Sequence, residues 1–189
     1  DDVSDVTQKF VFHNGLNDKP EVMDSASFNQ FMSDNNISQS QILSRSINGG
    51  ALKTSAGGSR NLPPQDVADM MMYSRLNYIG GKHGGQAYGA GTYFDMNGGG
   101  NTGYASGKTV HAVLNPKTAK VITDTSLRQK AQAFDKAHPQ FAKATGGYST
   151  SFYNNNMSVY ALVLGYNVIK ESGGSYHNII DRKALVYSK

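Results

Sequence analysis

The chain has 189 residues, 38% of them hydrophobic, no cysteine and a formal net charge of +4; this length and apolar content fit one domain with one core. The lack of cysteine excludes disulfides, thiolate metal sites and thiol nucleophiles, and no apolar run approaches the roughly 18 residues of a membrane span. The leading Asp1-Asp2-Val3-Ser4-Asp5 has neither the basic nor the apolar part of a signal peptide, so we expect a soluble, monomeric domain with no membrane partner, starting on Asp1 as a piece of a longer polypeptide.

In chain order, Asp24-Ser25 caps a helix whose Phe28, Phe31 and Met32 share one face, and the segment 1–40 reads as a helical N-terminal part ahead of a core over 41–189. A strand is expected from Gln41 to Ile47. Gly49-Gly50 and Gly57-Gly58 mark a connection, and Pro63-Pro64 opens a helix through Val67, Met70 and Met71. From Gly80 to Gly107, eleven of 28 residues are glycine, more than half of the chain's 21. Tyr88, Tyr93, Phe94 and Tyr104 interleave with them, which favours an ordered loop at which backbone approaches a ligand over a low-complexity linker.

Thr109–Leu114 and Lys120–Thr123 read as a hairpin around Asn115-Pro116-Lys117-Thr118. Leu127, Ala131 and Phe134 mark a helix that His138-Pro139 interrupts, with Phe141 and Ala144 continuing beyond. Met157, Tyr160, Ala161 and Leu164 fall at helical spacing, with Gly165 as a left-handed cap. Two strands follow, Asn167–Lys170 and Tyr176–Tyr187, joined by the Gly173-Gly174-Ser175 turn. Helices first, then strands around a glycine-rich loop, predict an α+β fold.

No Gly-x-x-x-x-Gly-Lys-[Ser/Thr] occurs, and no Gly-x-Gly-x-x-Gly opens a helix. His13, His83, His111, His138 and His177 lack metal-ligand spacing, so no metal is expected. The basic pI near 9.2 suits an anionic ligand, yet the 18 Lys and Arg residues are scattered where dedicated nucleic-acid binders cluster them.

Gly89-Ala90-Gly91-Thr92-Tyr93-Phe94, followed by Tyr104, resembles the Gly-x-Gly-x-Tyr-Phe strand and second tyrosine of the ADP-ribosyltransferase superfamily. The resemblance covers about residues 40 to 187. It implies a split β-sheet core with an NAD cleft between the sheets, Tyr88, Gly89, Gly91, Thr92, Tyr93 and Tyr104 around the cofactor-like substrate, and the nicotinamide between Tyr93 and Tyr104. A flat cationic ring gains about 1–3 kcal/mol on an aromatic face. Arg45, in Leu43-Ser44-Arg45-Ser46, occupies the place of the family's Tyr-Arg-Gly triplet without its tyrosine or glycine, and implies a cation for NAD phosphate or ribose. Arg75 is the other candidate.

The family's late-strand glutamate aligns with Asn178, which can accept a ribose hydroxyl but carries no charge. Glu171, before a glycine turn, is the alternative acid, while alternation turns Asp181 to the opposite face. Asn178-Ile179-Ile180-Asp181-Arg182 resembles the ending of phage-associated members. The implied activity is mono-ADP-ribosyl transfer from NAD to a protein or nucleic-acid acceptor with release of nicotinamide, Arg45, Asn178 and Glu171 being the catalytic candidates. The implied setting is a toxin or bacteriophage protein acting in a bacterial cytoplasm after delivery. Two other readings stand beside it: a metal-independent ribonuclease using His83 or His177 with Arg182 or Lys183, and a non-catalytic NAD- or partner-binding module.

Overall fold

The computed structural model describes residues 19–47, 50–53, 59–73, 88–89, 91–96, 108–151, 154–174 and 176–189. Tyr104, Arg75, His83, His13 and Ala90 lie outside the described residues. The helices are α1 (Ser25–Asp34), α2 (Pro64–Tyr73), α3 (Asp124–Ala137), α4 (Pro139–Thr145) and α5 (Met157–Val163). The strands are β1 (Glu21–Met23), β2 (Leu43–Ile47), β3 (Gly50–Lys53), β4 (Ser59–Leu62), β5 (Thr92–Met96), β6 (Lys108–Leu114), β7 (Val121–Thr123), β8 (Val168–Lys170), β9 (Tyr176–Ile179) and β10 (Leu185–Ser188). The fold is α+β. None of the helices among the described residues is long and apolar enough to cross a membrane.

The helices form where local chemistry specifies them. Asp24 accepts the Ser27 amide at 2.8 Å to start α1, and Phe28 and Met32 are its buried residues. Thr123 caps α3 through the Ser126 amide. Pro139, which cannot continue the α3 ladder, begins α4. At the end of α5 the Tyr166 amide bonds to the Ala161 carbonyl at 2.8 Å and the Gly165 amide to Leu162 at 3.0 Å. Gly165 has φ 94°, so this is a Schellman ending at the expected glycine.

Eight strands form one open sheet in the order β1-β10-β6-β2-β5-β9-β8-β7, and β3 pairs with β4 apart from it. Three features depart from the sequence expectations. The segment before residue 41 contributes β1 as well as a helix, paired parallel to β10. The expected hairpin of Thr109–Leu114 with Lys120–Thr123 does not form, because β6 pairs with β2 and β10 while β7 lies parallel to β8. Its turn is curled by Thr118 and Ala119 amides on the Asn115 carbonyl. The Asn167 side chain then clasps Lys120 and Thr118 at 2.8 and 2.9 Å, drawing the chain to β8. The expected strand Tyr176–Tyr187 is two strands, since Asp181 accepts the Lys183 amide at 2.9 Å and caps a 3-10 turn that carries the chain from β9 to the far side of the sheet.

The eight-stranded sheet is continuous from β1 to β7 in its strand order. The ladder between β2 and β5 is nonetheless short: only Leu43–Met96 and Ser44–Asp95 pair, although β2 continues to Ile47 against β6. On one face, Ala68 and Met72 of α2 pack on Leu43, Ile47, Phe94, Val110, Ala112 and Tyr187. On the other, α1 covers Val113 and Val186, and α3 and α5 cover Ile122, Ile169 and Ile180. Between these two blocks the strand positions of that second face are polar: Ser44, Tyr93, Asp95 and His111, with the Ser44 hydroxyl 3.2 Å from His111 Nδ1.

Leu127 is fully buried at the α3 contact, and Leu127→Ala is expected to cost about 2–5 kcal/mol, read as a lower urea midpoint with unchanged slope. Burial pushes the Tyr148 and Tyr160 phenols up to about 12, a hydrogen bond to Asp135 assisting at Tyr160. An unfolded tyrosine titrates near about 10, so the folded chain keeps protons that the unfolded chain releases. Stability is therefore intact below about pH 10 and falls as pH rises toward 12; Tyr160→Phe is expected to flatten that decline in the urea midpoint.

Candidate functional site

The three strands that carry the predicted motif residues are neighbours in the sheet. β2 brings Arg45 beside β5, and Arg45 Nη1 donates to the Tyr93 main-chain carbonyl at 2.8 Å, at the point where the β2–β5 ladder has stopped. β5 in turn pairs with β9, setting Tyr93 directly opposite Asn178 and Thr92 opposite Ile179. Strand alternation fixes the faces. Tyr93 and Asn178 share the face covered by α5, whereas Arg45 falls on the face of Leu43 and Ile47.

Tyr93 is bound through its hydroxyl to its own loop. The phenol accepts the Tyr88 amide at 2.9 Å and donates to the Gly89 carbonyl. Burial raises its pKa well above the usual phenol range, which keeps the proton in place for that donation. Tyr93 and Tyr88 are half-buried as whole residues; their ring centroids are 6.5 Å apart and their planes tilted by 52°. Rings at this angle do not sandwich a flat ligand between themselves, and the expected pairing of Tyr93 with Tyr104 falls on a residue outside the described ones.

Beneath the turn the packing is closed. Asn178 is fully buried, as are Ser158, Thr92 and, within 1%, Phe94. Asn178 Nδ2 donates to the Tyr88 carbonyl at 3.0 Å, more distantly to Gly89 at 3.4 Å, and to Ser158 Oγ at 3.3 Å. A Cβ on Gly91 would collide with Asn178 Oδ1, and one on Gly89 with Ser158 Oγ. Gly89 also has φ 85°, where other residues are strained. These glycines thus admit side chains from β9 and α5, in addition to any approach to a ligand.

Glu171 follows β8, with its carboxylate over Gly174, where a Cβ would meet it. Burial raises the Tyr88 pKa, and the carboxylates of Glu171 and Asp124, with a side-chain hydrogen bond to Glu171, raise it further. Glu171 and Asp124 are therefore the acids that bear on Tyr88. Asp124 is occupied by the Ser172 amide at 2.7 Å, a bond that helps lower its pKa against the opposing effect of burial.

The structure thus brings Tyr88, Gly89, Gly91, Tyr93 and Asn178 together on one face of β5 and β9, with Glu171 beside Tyr88, while Arg45 and Thr92 lie on the opposite face of the sheet. Asp181 is taken up in capping the turn after β9. His177 and Arg182, invoked for a ribonuclease, are 2% and 0% exposed, so a site built from that pair has no access to RNA. Among the described residues no group of three or more His, Asp or Glu side chains could hold a metal. Sequence reasoning missed Ser158; the only local signal is a small polar residue between Met157 and Val159 in an otherwise apolar helical start.

Tyr93→Phe removes both hydroxyl bonds and leaves the Tyr88 amide and one Gly89 bond unmade. The expected loss is about 1–3 kcal/mol, measured by urea unfolding, with the ring itself retained. Comparison of the chain with protein-family models, with curated proteins and with solved structures found no match.

Proposed function

We propose that the domain binds NAD against the Tyr88–Tyr93 pair and transfers ADP-ribose from it to a macromolecular acceptor, releasing nicotinamide. The observation that carries this reading is the grouping of Tyr88, Tyr93 and Glu171 on one side of β5 and β9, with Arg45, 48 residues before Tyr93, bonding the Tyr93 carbonyl from the other face. The residues fit the substrate in part. The half-buried Tyr88 and Tyr93 offer aromatic surface to a cationic nicotinamide ring, and the net charge of +4 suits a diphosphate. Because Arg45 lies on the other face and bonds the Tyr93 carbonyl, its part is to support the tyrosine's backbone.

Asn178 has no exposed surface, so the acid role passes to Glu171. Its carboxylate would stand against the positive charge that develops on the ribose as the glycosidic bond to nicotinamide breaks. The electron pair of that bond leaves on nicotinamide, which departs neutral; the acceptor nucleophile bonds the anomeric carbon and gives up its proton. A second reading, an NAD-binding module without turnover, is favoured by one observation: the strand position opposite Tyr93 holds a buried amide instead of an exposed acid.

Nicotinamide release and NAD affinity, measured together with cell lysate as acceptor source, separate these. Glu171→Gln is expected to lower kcat by about 10²–10³ with NAD affinity nearly unchanged, and Arg45→Ala to weaken affinity. Binding without release in the parent protein would establish the binding module, and the absence of both would end the NAD reading.

A further inference from the structure

The Asn178 carboxamide performs a task that the acid expected in its place cannot. An amide nitrogen is a double donor, whereas a carboxylate only accepts. Asn178 Nδ2 donates to the Tyr88 carbonyl at 3.0 Å, to the Gly89 carbonyl at 3.4 Å and to Ser158 Oγ at 3.3 Å. Ser158 Oγ passes its own proton on to the Tyr88 carbonyl, also at 3.3 Å.

The fit is steric too. Gly89 and Gly91 leave out the Cβ atoms that Ser158 and Asn178 would strike, and Asn178 and Ser158 are both 0% exposed. Tyr88 and Gly89, whose carbonyls take bonds from Asn178 and Ser158, are also held by the Tyr93 hydroxyl, through the Tyr88 amide and the Gly89 carbonyl. Amide, serine, glycines and tyrosine are therefore one interlocking unit, built from β9, α5 and the turn before β5.

With its functional meaning resting on the NAD reading above, we propose that Asn178 and Ser158 are positioning residues. Their donors hold the Tyr88–Gly89 carbonyls and so set the angle and exposure of the Tyr88 and Tyr93 rings, and position 178 requires an amide. The absence of an acid there is a built feature of this site and not a lost catalytic group. A carboxylate at 178 would face two carbonyl oxygens in a dry environment with no donor to offer them, an arrangement that drives it to take up a proton.

The test uses the full 189-residue chain with Asn178→Asp and Ser158→Ala. Two quantities are read at pH 5 and pH 8: amide exchange of residues 88–93 relative to unstructured rates, and kcat and KM for NAD. In Asn178→Asp the protection at pH 8 is expected to drop at least about tenfold, the scale of one lost buried hydrogen bond. It should return at pH 5, where the protonated acid again offers a donor, and KM should follow the same pH dependence with kcat less affected. Ser158→Ala should lose about tenfold protection at both pH values, and it carries the test if the aspartate variant does not fold at pH 8. Parent-like protection in Asn178→Asp at pH 8, or in Ser158→Ala at either pH, overturns the proposal. Protection that follows the expected pattern without any NAD binding upholds the hydrogen-bonded unit and removes the NAD reading alone.

Discussion

A buried main-chain turn needs a partner for each of its polar groups, because an unpaired amide or carbonyl in a dry site costs as much as several ordinary contacts return. The Tyr88–Gly89 turn meets this requirement with side chains drawn from three distant parts of the chain. Tyr93 comes from β5, Ser158 from the first turn of α5 and Asn178 from β9. The arrangement fixes β5 against β9, ties α5 to the sheet and decides which aromatic faces reach solvent. The candidate site is the exposed side of this knot, and its chemistry follows from how the knot is tied.

Glycines in the motif serve the interior first. Gly89 and Gly91 make room for Ser158 and Asn178, so a glycine-rich strand entrance need not mean backbone pressed on a ligand. The tyrosine following them likewise turns its hydroxyl inward. The charged groups sit apart: Arg45 on the opposite face, bonded to the Tyr93 carbonyl, and Glu171 at the Tyr88 side. Cation and acid thus approach the tyrosines from different elements and different sides of the sheet.

Local chemistry made the helices legible from sequence. Phe28 and Met32, Leu127 and Ala131, the break at Pro139 and the Gly165 ending all follow from spacing and backbone preference within a few residues. The strands themselves were also largely visible, but not their partners. Asn167 clasping Thr118 and Lys120 turns an apparent hairpin into a crossover, and Asp181 breaks what reads as one β-run; both effects act through side chains that look like ordinary turn residues. At the site, Tyr93, Arg45 and Asn178 could be singled out by their pattern. Their orientations could not, because burial of Asn178 and recruitment of Ser158 depend on contacts spanning 20 to 90 residues.

The central claim is that the aromatic surface of Tyr88 and Tyr93 receives NAD, and the most direct measurement is an NMR titration of the tyrosine-ring-labelled protein. With NAD raised to about 1 mM, the upper end of common KM values, the ring signals of Tyr88 and Tyr93 should shift together and saturate, while those of the buried Tyr160 and Tyr187 stay in place. Ring signals of Tyr88 and Tyr93 that do not move, or shifts confined to other tyrosines, would contradict the account.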